Sequence, residues 1–248
     1  APYESKNLAN LDPAARKLVP NFEVTPVDTG DVCINYDVNW FAQRKIAPPL
    51  TLRALTSSNY ANLLVVPSPV SSSPGLAFML ATIAEFGEDG WDEYWKALKQ
   101  NGALVVGDWT EAYYTEFSGS SGKGERPIVV SYGSSPPAEM IFASPRPATA
   151  PTAVASLTCF RQVEFAGILR GTKHESEAKL LIDYLTDLKF QEDLPLTLFV
   201  YPANVNAKLP DDFVKYSLRP ESPLQLDPEL ISRSLLIWLD EFTNIMLR

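Results

Sequence analysis

A chain of 248 residues, 46% of them hydrophobic, can bury one large core or two smaller ones, which excludes disorder as its main state. The formal charge of −9, from 30 acidic and 21 basic side chains, argues against nucleic acid and anionic membrane as partners, because either needs clustered Lys and Arg. No apolar run approaches the roughly 20 residues that span a bilayer. The opening APYESKNLANL has neither an initiator Met nor a basic-then-apolar signal pattern, so the chain is expected to be processed or excerpted from something longer.

The predicted elements alternate. A helix fits 11–19 (LDPAARKLV), followed by an extended run at 31–37 (DVCINYD) rich in β-formers. Residues 62–69 (NLLVVPSP) read as a short buried strand, and 71–86 (SSSPGLAFMLATIAEF) as a helix with Ser73 as N-cap and Pro74 in its first turn. A second amphipathic helix at 91–102 ends on Gly102. Strand 103–109 (ALVVGDW) then runs into a turn, and a helix starts at 110–117 (TEAYYTEF). The stretch 118–127 (SGSSGKGERP) fails the spacing of a phosphate-binding loop and reads as surface loop. After it, 128–142 (IVVSYGSSPPAEMIF) repeats the order of strand, Ser-rich turn and helix. Three such units in succession predict a parallel or mixed α/β sheet. The Pro-rich 144–153 (SPRPATAPTA) reads as a connector, 157–169 (LTCFRQVEFAGIL) as a strand, and 174–194 as one helix with an apolar face of Ala178, Leu181, Leu185 and Leu188. A final helix covers 227–248.

Much chemistry is absent. The single histidine, His174, reads as a solvated first-turn residue, so no Ser-His-Asp or Cys-His constellation has a base and His-based metal sites are excluded. Cys33 and Cys159 are too few for a disulfide scaffold and lack zinc spacing; two buried thiols and a single bridge both remain open. What is present sits in the three strand-to-helix turns: Ser72 and Ser73; Trp109 and Tyr113; Tyr132, Ser134 and Ser135. In an open α/β sheet such turns gather beyond the carboxyl ends of the strands, where ligands bind. A Ser at a helix start adds a hydroxyl to free backbone N–H groups and suits a phosphate or a ligand hydroxyl, although plain N-capping uses the same residues. Trp109, Tyr132 and Tyr201 are candidates to stack on a flat cationic ring, although an aromatic after a strand also serves as core.

Taken in order, SSSPGL, DWTEAYY, VVSYGSSP, RQVEFAGI, SEAKLLIDYLTDLKFQEDLP and VYPANVNAKLPDDF cover nearly the whole chain. In these words the sequence resembles the periplasmic thiamine-binding proteins, within the two-lobed receptors of bacterial ABC importers. The resemblance implies an α/β, type II periplasmic-binding-protein-like fold that is not an enzyme and has no catalytic residues, cofactor or metal. It implies capture of thiamine or thiamine phosphate in a cleft between lobes, and an ABC transporter permease as partner. The location implied is periplasmic or otherwise extracytoplasmic, with a lipid anchor left open. The implied ligand set is Ser72, Ser73, Trp109, Tyr113, Tyr132, Ser134, Ser135, Phe199 and Tyr201. Phe199 stands where the family usually has Trp, and nothing before Ala1 supplies the family's opening strand and helix. The first lobe is therefore expected to be incomplete, with self-association through its open edge. Residues 1–27 and 153–203 would form that lobe, 37–152 and 204–248 the second, with 28–36 and about 153–165 as crossing strands. If those strands lie side by side, Cys33 and Cys159 come within bridging reach. One rival keeps the fold and takes ferric iron through the tandem Tyr113 and Tyr114. Another is a thiamine-processing enzyme with Cys33 or Cys159 as nucleophile.

Overall fold

The computed structural model describes residues 1–120 and 123–248; Ser121 and Gly122, in the stretch read as surface loop, lie outside the described residues. Helix α1 (Pro13–Lys17), capped by the Asp12 carboxylate, leads to the long strand β1 (Thr25–Asp37), and Asp37 in turn caps α2 (Val38–Arg44). Strand β2 (Leu64–Pro67), helices α3 (Ser73–Phe86) and α4 (Trp91–Gln100), and strand β3 (Leu104–Val106) follow. A π-helix at Glu111–Glu116 precedes β4 (Ile128–Tyr132), α5 (Ser135–Ile141) and β5 (Thr152–Ala166). The chain finishes with α6 (Glu175–Leu185), α7 (Leu188–Gln191), α8 (Leu194–Thr197), β6 (Tyr201–Pro202), α9 (Asp211–Tyr216) and α10 (Pro228–Met246).

Three local expectations are corrected. The N-cap of α3 is Ser72, not Ser73, and its hydroxyl makes no capping bond. The single helix expected over 174–194 is broken at Thr186 and Asp187. Thr186 Oγ1 turns back on the Ile182 and Asp183 carbonyls, and the Asp187 carboxylate starts α7 by accepting from the Lys189 N–H. Its inward face is also different: Leu181 and Leu188 are exposed, whereas Ile182, Asp183, Thr186 and Gln191 are buried.

The chain divides into two compact units, Ala1–Gly30 with Gln162–Lys215, and Asp31–Arg161 with Tyr216–Arg248. These bounds move two segments relative to the sequence reading. Residues 153–161 go with the second unit, where Arg161 pairs with the fully buried Asp31 at 2.8 Å and 3.1 Å. Residues 204–215 go with the first, where Phe213 packs edge-on against Tyr201 at 5.0 Å.

In the second unit the strand order is β3-β2-β4-β1-β5; β2 is parallel to β3 and β4, and β1 is antiparallel to β4, with Val32 opposite Tyr132 and Tyr36 opposite Ile128. Alternation along the strands supplies two apolar faces. Leu64, Val66, Ile128 and Val130 join the large core under α3, α4 and α10, where Trp95 packs on Phe78 and Phe242 and its indole N–H donates to Thr82 Oγ1. Val65, Val106 and Val129 face a smaller cluster with Ala112 and Tyr113 from the π-helix and Phe117 just after it. Cys33 and Cys159 form a disulfide, which settles the alternatives left by the sequence.

In the first unit β6 pairs antiparallel with the start of β1, Asp28 opposite Pro202 and Thr29 opposite Tyr201. Polar side chains tie its parts together. Asp183 accepts from Ser5 Oγ at 2.7 Å, from the Tyr3 hydroxyl at 3.0 Å and from the Lys6 N–H, while Asn204 and Gln191 bond each other and the backbone of α6, β1 and Thr186. Burial alone would raise the Asp183 carboxyl; the three donors overcome it and hold it below its ordinary value.

Candidate functional site

Parallel pairing of β2 with β3 and β4 brings their carboxyl ends to one side of the second unit, and the three Ser- and aromatic-rich turns with them. The β2 turn is bound to the β3 turn by Ser68 N–H to the Val106 carbonyl and by Ser71 Oγ to the Gly107 carbonyl. Gly75 lets α3 start here, because a Cβ would lie 2.2 Å from the Pro67 carbonyl oxygen. In the β4 turn, Gly133 donates to the Asp31 carbonyl and accepts from Leu218; a side chain there would strike the Leu218 carbonyl. The turn is thus held by backbone on two sides.

Trp109 is the centre of the aromatic set. Its half-buried ring lies nearly parallel to Tyr113, 5.1 Å and 16° apart, with Tyr114 edge-on at 5.4 Å and Tyr132 tilted at 6.4 Å. The π-helix sets this grouping, presenting Tyr113 and Tyr114 to one ring despite their adjacency. Tyr113 is buried and backed by Phe117, so it offers no open face and supports Trp109 from behind. Burial first, and then the Glu139 charge, push its phenol well above the ordinary tyrosine value. Trp109 Nε1 donates to Ser131 Oγ at 2.9 Å, Ser131 and Ser135 hydroxyls are 2.8 Å apart, and the Tyr113 hydroxyl donates to Glu139 Oε1 at 2.9 Å.

The structure therefore gathers Ser72, Ser73, Trp109, Tyr113, Tyr132, Ser134 and Ser135 on three adjoining turns of one unit. Ser73 is exposed and Ser72 half-buried, whereas Ser134 and Ser135 are buried. Phe199 and Tyr201 belong to the first unit. Tyr201 is 3% exposed with its ring against Phe213, a core placement. Phe199 is half-buried with φ of 55°, a left-handed conformation costly for a bulky residue. Sequence reasoning missed Ser131 and Glu139. Ser131 hides inside a β-run, and Glu139 is legible only once Ser135 is placed on a helix, since residues four apart share a face. Among the described residues no group of three His, Cys, Asp or Glu gathers into a metal site, and no helix is long and apolar enough to cross a membrane.

Comparison with known proteins bears on this geometry. The family model of the bacterial extracellular solute-binding proteins matches residues 1–220. The Thiamine-binding periplasmic protein of Brucella melitensis is 27% identical over 218 residues, 86% of this chain and 63% of that protein, so the chain spans less than two thirds of this relative. A solved Periplasmic thiamin binding protein superposes with a TM-score of 0.78 at 26% identity, over 92% of this chain and 67% of that one. Iron-bound HitA from Pseudomonas aeruginosa superposes at 0.71 with 15% identity, over 97% and 76%, a likeness of fold alone. The fold is that of the type II periplasmic binding proteins. With the matched residues spanning both compact units, the chain belongs to the family of bacterial extracellular solute-binding proteins.

Proposed function

We propose that the chain acts outside the cytoplasm as the solute-capturing component of an ABC importer, handing thiamine or a thiamine phosphate to a membrane permease. The observation that carries the reading is Trp109, a half-exposed indole held by a stacked Tyr113 and by Ser131, with Tyr114 and Tyr132 around it. A preset aromatic face suits a cationic heterocycle, each good contact contributing on the order of 1–2 kcal/mol. Relatives named for thiamine binding support the same ligand. The N-terminus of α3, whose Ser72 hydroxyl is not spent on capping, suits the hydroxyl or phosphate end, with Ser73 and Ser134 beside it in this reading. Ser135 is engaged with Ser131 and supports rather than binds.

The rival readings have weaker chemistry. Iron needs a set of hard ligands around the phenolates, and among the described residues no group of three His, Cys, Asp or Glu gathers to complete it. A cysteine nucleophile needs a thiolate, and both cysteines are bridged. The bridge also fits an oxidising compartment. Titration calorimetry tests the proposal: Trp109→Ala should weaken thiamine and thiamine phosphate alike by about 1–2 kcal/mol, whereas Ser72→Ala with Ser134→Ala should penalise the phosphate more. Absence of heat with millimolar thiamine overturns the ligand; equal losses in the double Ser variant reduce those serines to helix starts.

A further inference from the structure

The ligand reading leaves one charged group beside the aromatic set unused. Glu139 is half-buried on α5, and no Lys or Arg pairs with it among the described residues. Its Oε1 accepts the Tyr113 hydroxyl at 2.9 Å, and the Tyr113 ring lies nearly parallel to Trp109, 5.1 Å away. On the other side Ser135 meets Ser131, and Ser131 accepts the Trp109 indole N–H. Two polar arms therefore reach the indole, one through its N–H and one through the stacked Tyr113. The Tyr113 proton points toward Glu139, because a carboxylate only accepts.

A charged acceptor polarises the hydroxyl bonded to it. Electron density is pushed back into the Tyr113 ring beneath the indole, whose open face becomes more attractive to a cation. Tyr114, edge-on to Trp109, also feels the Glu139 charge. Resting on the thiamine reading above, we propose that Glu139 is the specificity-determining residue of the site, acting through the stacked Tyr113 to make the Trp109 face select a positively charged ring over an uncharged ring of the same shape. Glu139 is a positioning and polarising group behind the ring and need not touch the ligand.

The test compares two probes in calorimetry: thiamine, and its isostere with an uncharged thiophene in place of the thiazolium. The protein should bind thiamine about tenfold more tightly than the isostere. Glu139→Gln keeps an acceptor for Tyr113 but removes the charge, and should shrink that preference to about twofold, mostly by weakening thiamine. Tyr113→Phe removes the hydroxyl that Glu139 accepts, leaves the ring stack, and should shrink the preference in the same direction. Circular dichroism melts of both variants check that the fold is kept. An unchanged preference in both variants, or equal losses for both probes, overturns the role of Glu139 and leaves the thiamine reading standing. Failure of the unaltered protein to bind either probe overturns that reading and this inference together.

Discussion

The two compact units are built on different physics. The second has a sheet with apolar residues on both faces, three helices over one and the π-helix over the other, and a disulfide joining β1 to β5. The first keeps Leu169, Leu180, Leu181, Tyr184 and Leu198 largely exposed, and what it buries is threaded by Asp183, Gln191 and Asn204. Burial of apolar area is non-directional and tolerant. A buried polar network stands only while every partner is in place. The lesson is that one chain carries a unit held mainly by apolar packing and a unit held in large part by a few directed bonds.

All five tryptophans, at 40, 91, 95, 109 and 238, lie in the second unit, so indole emission reports that unit while circular dichroism reports both. The largest effect should come from Trp95→Ala, which removes a fully buried ring, its contacts with Phe78 and Phe242 and its bond to Thr82. We expect a loss of about 3–5 kcal/mol in the urea transition read by emission. A shift of the whole circular dichroism transition by the same amount would break the comparison, since the units would then unfold as one.

Asp183→Ala is the counterpart in the first unit. It removes the acceptor of the Ser5 and Tyr3 hydroxyls and the Lys6 N–H, and should cost about 2–3 kcal/mol. The loss should appear as an earlier circular dichroism phase, with faster amide exchange in α6 and little change in emission. An emission midpoint that moves with it would show the polar knot to support both units.

The smallest effect sharpens the comparison by pH. Asp28 is buried with Oδ1 lacking a hydrogen bond, and burial first, then the Glu164 charge, push its carboxyl up to about 7. An aspartate in the unfolded chain loses its proton near pH 4, roughly 3.9 in model peptides. Between there and the folded value the folded unit holds the extra proton, so stability falls as pH rises through this window. With allowance for solvent screening we expect on the order of 1–2 kcal/mol between pH 5 and pH 8. Asp28→Asn should remove this contribution and melt later at pH 8; an earlier melt there would mean that the ionised carboxylate has a stabilising partner.

How much was legible beforehand follows the same division. NLLVVP, LVV and IVV were readable as strands, and the Ser-Pro and Asp-Trp turns after them as one gathered site, because alternation and helix starts are local signals. The shifted face of α6 and the bounds at 161 and 215 were not readable, because each is set by a tertiary partner: Ser5 and Tyr3 for Asp183, Asp31 for Arg161, Tyr201 for Phe213. The break at Thr186 is set by side-chain bonds to nearby backbone, which compete with a helix that the apolar pattern alone would continue.

By itself the sequence determined the fold class, the order of strand, turn and helix around the site, and the aromatic and hydroxyl character of its turns. Only the tertiary structure decided that Cys33 bonds Cys159, that Tyr113 lies behind Trp109 rather than beside it, and that the Tyr113 hydroxyl ends on Glu139. Periodicity records which face of an element is apolar, whereas a hydrogen bond depends on distance and angle between groups that the sequence leaves unplaced until the sheet brings them together.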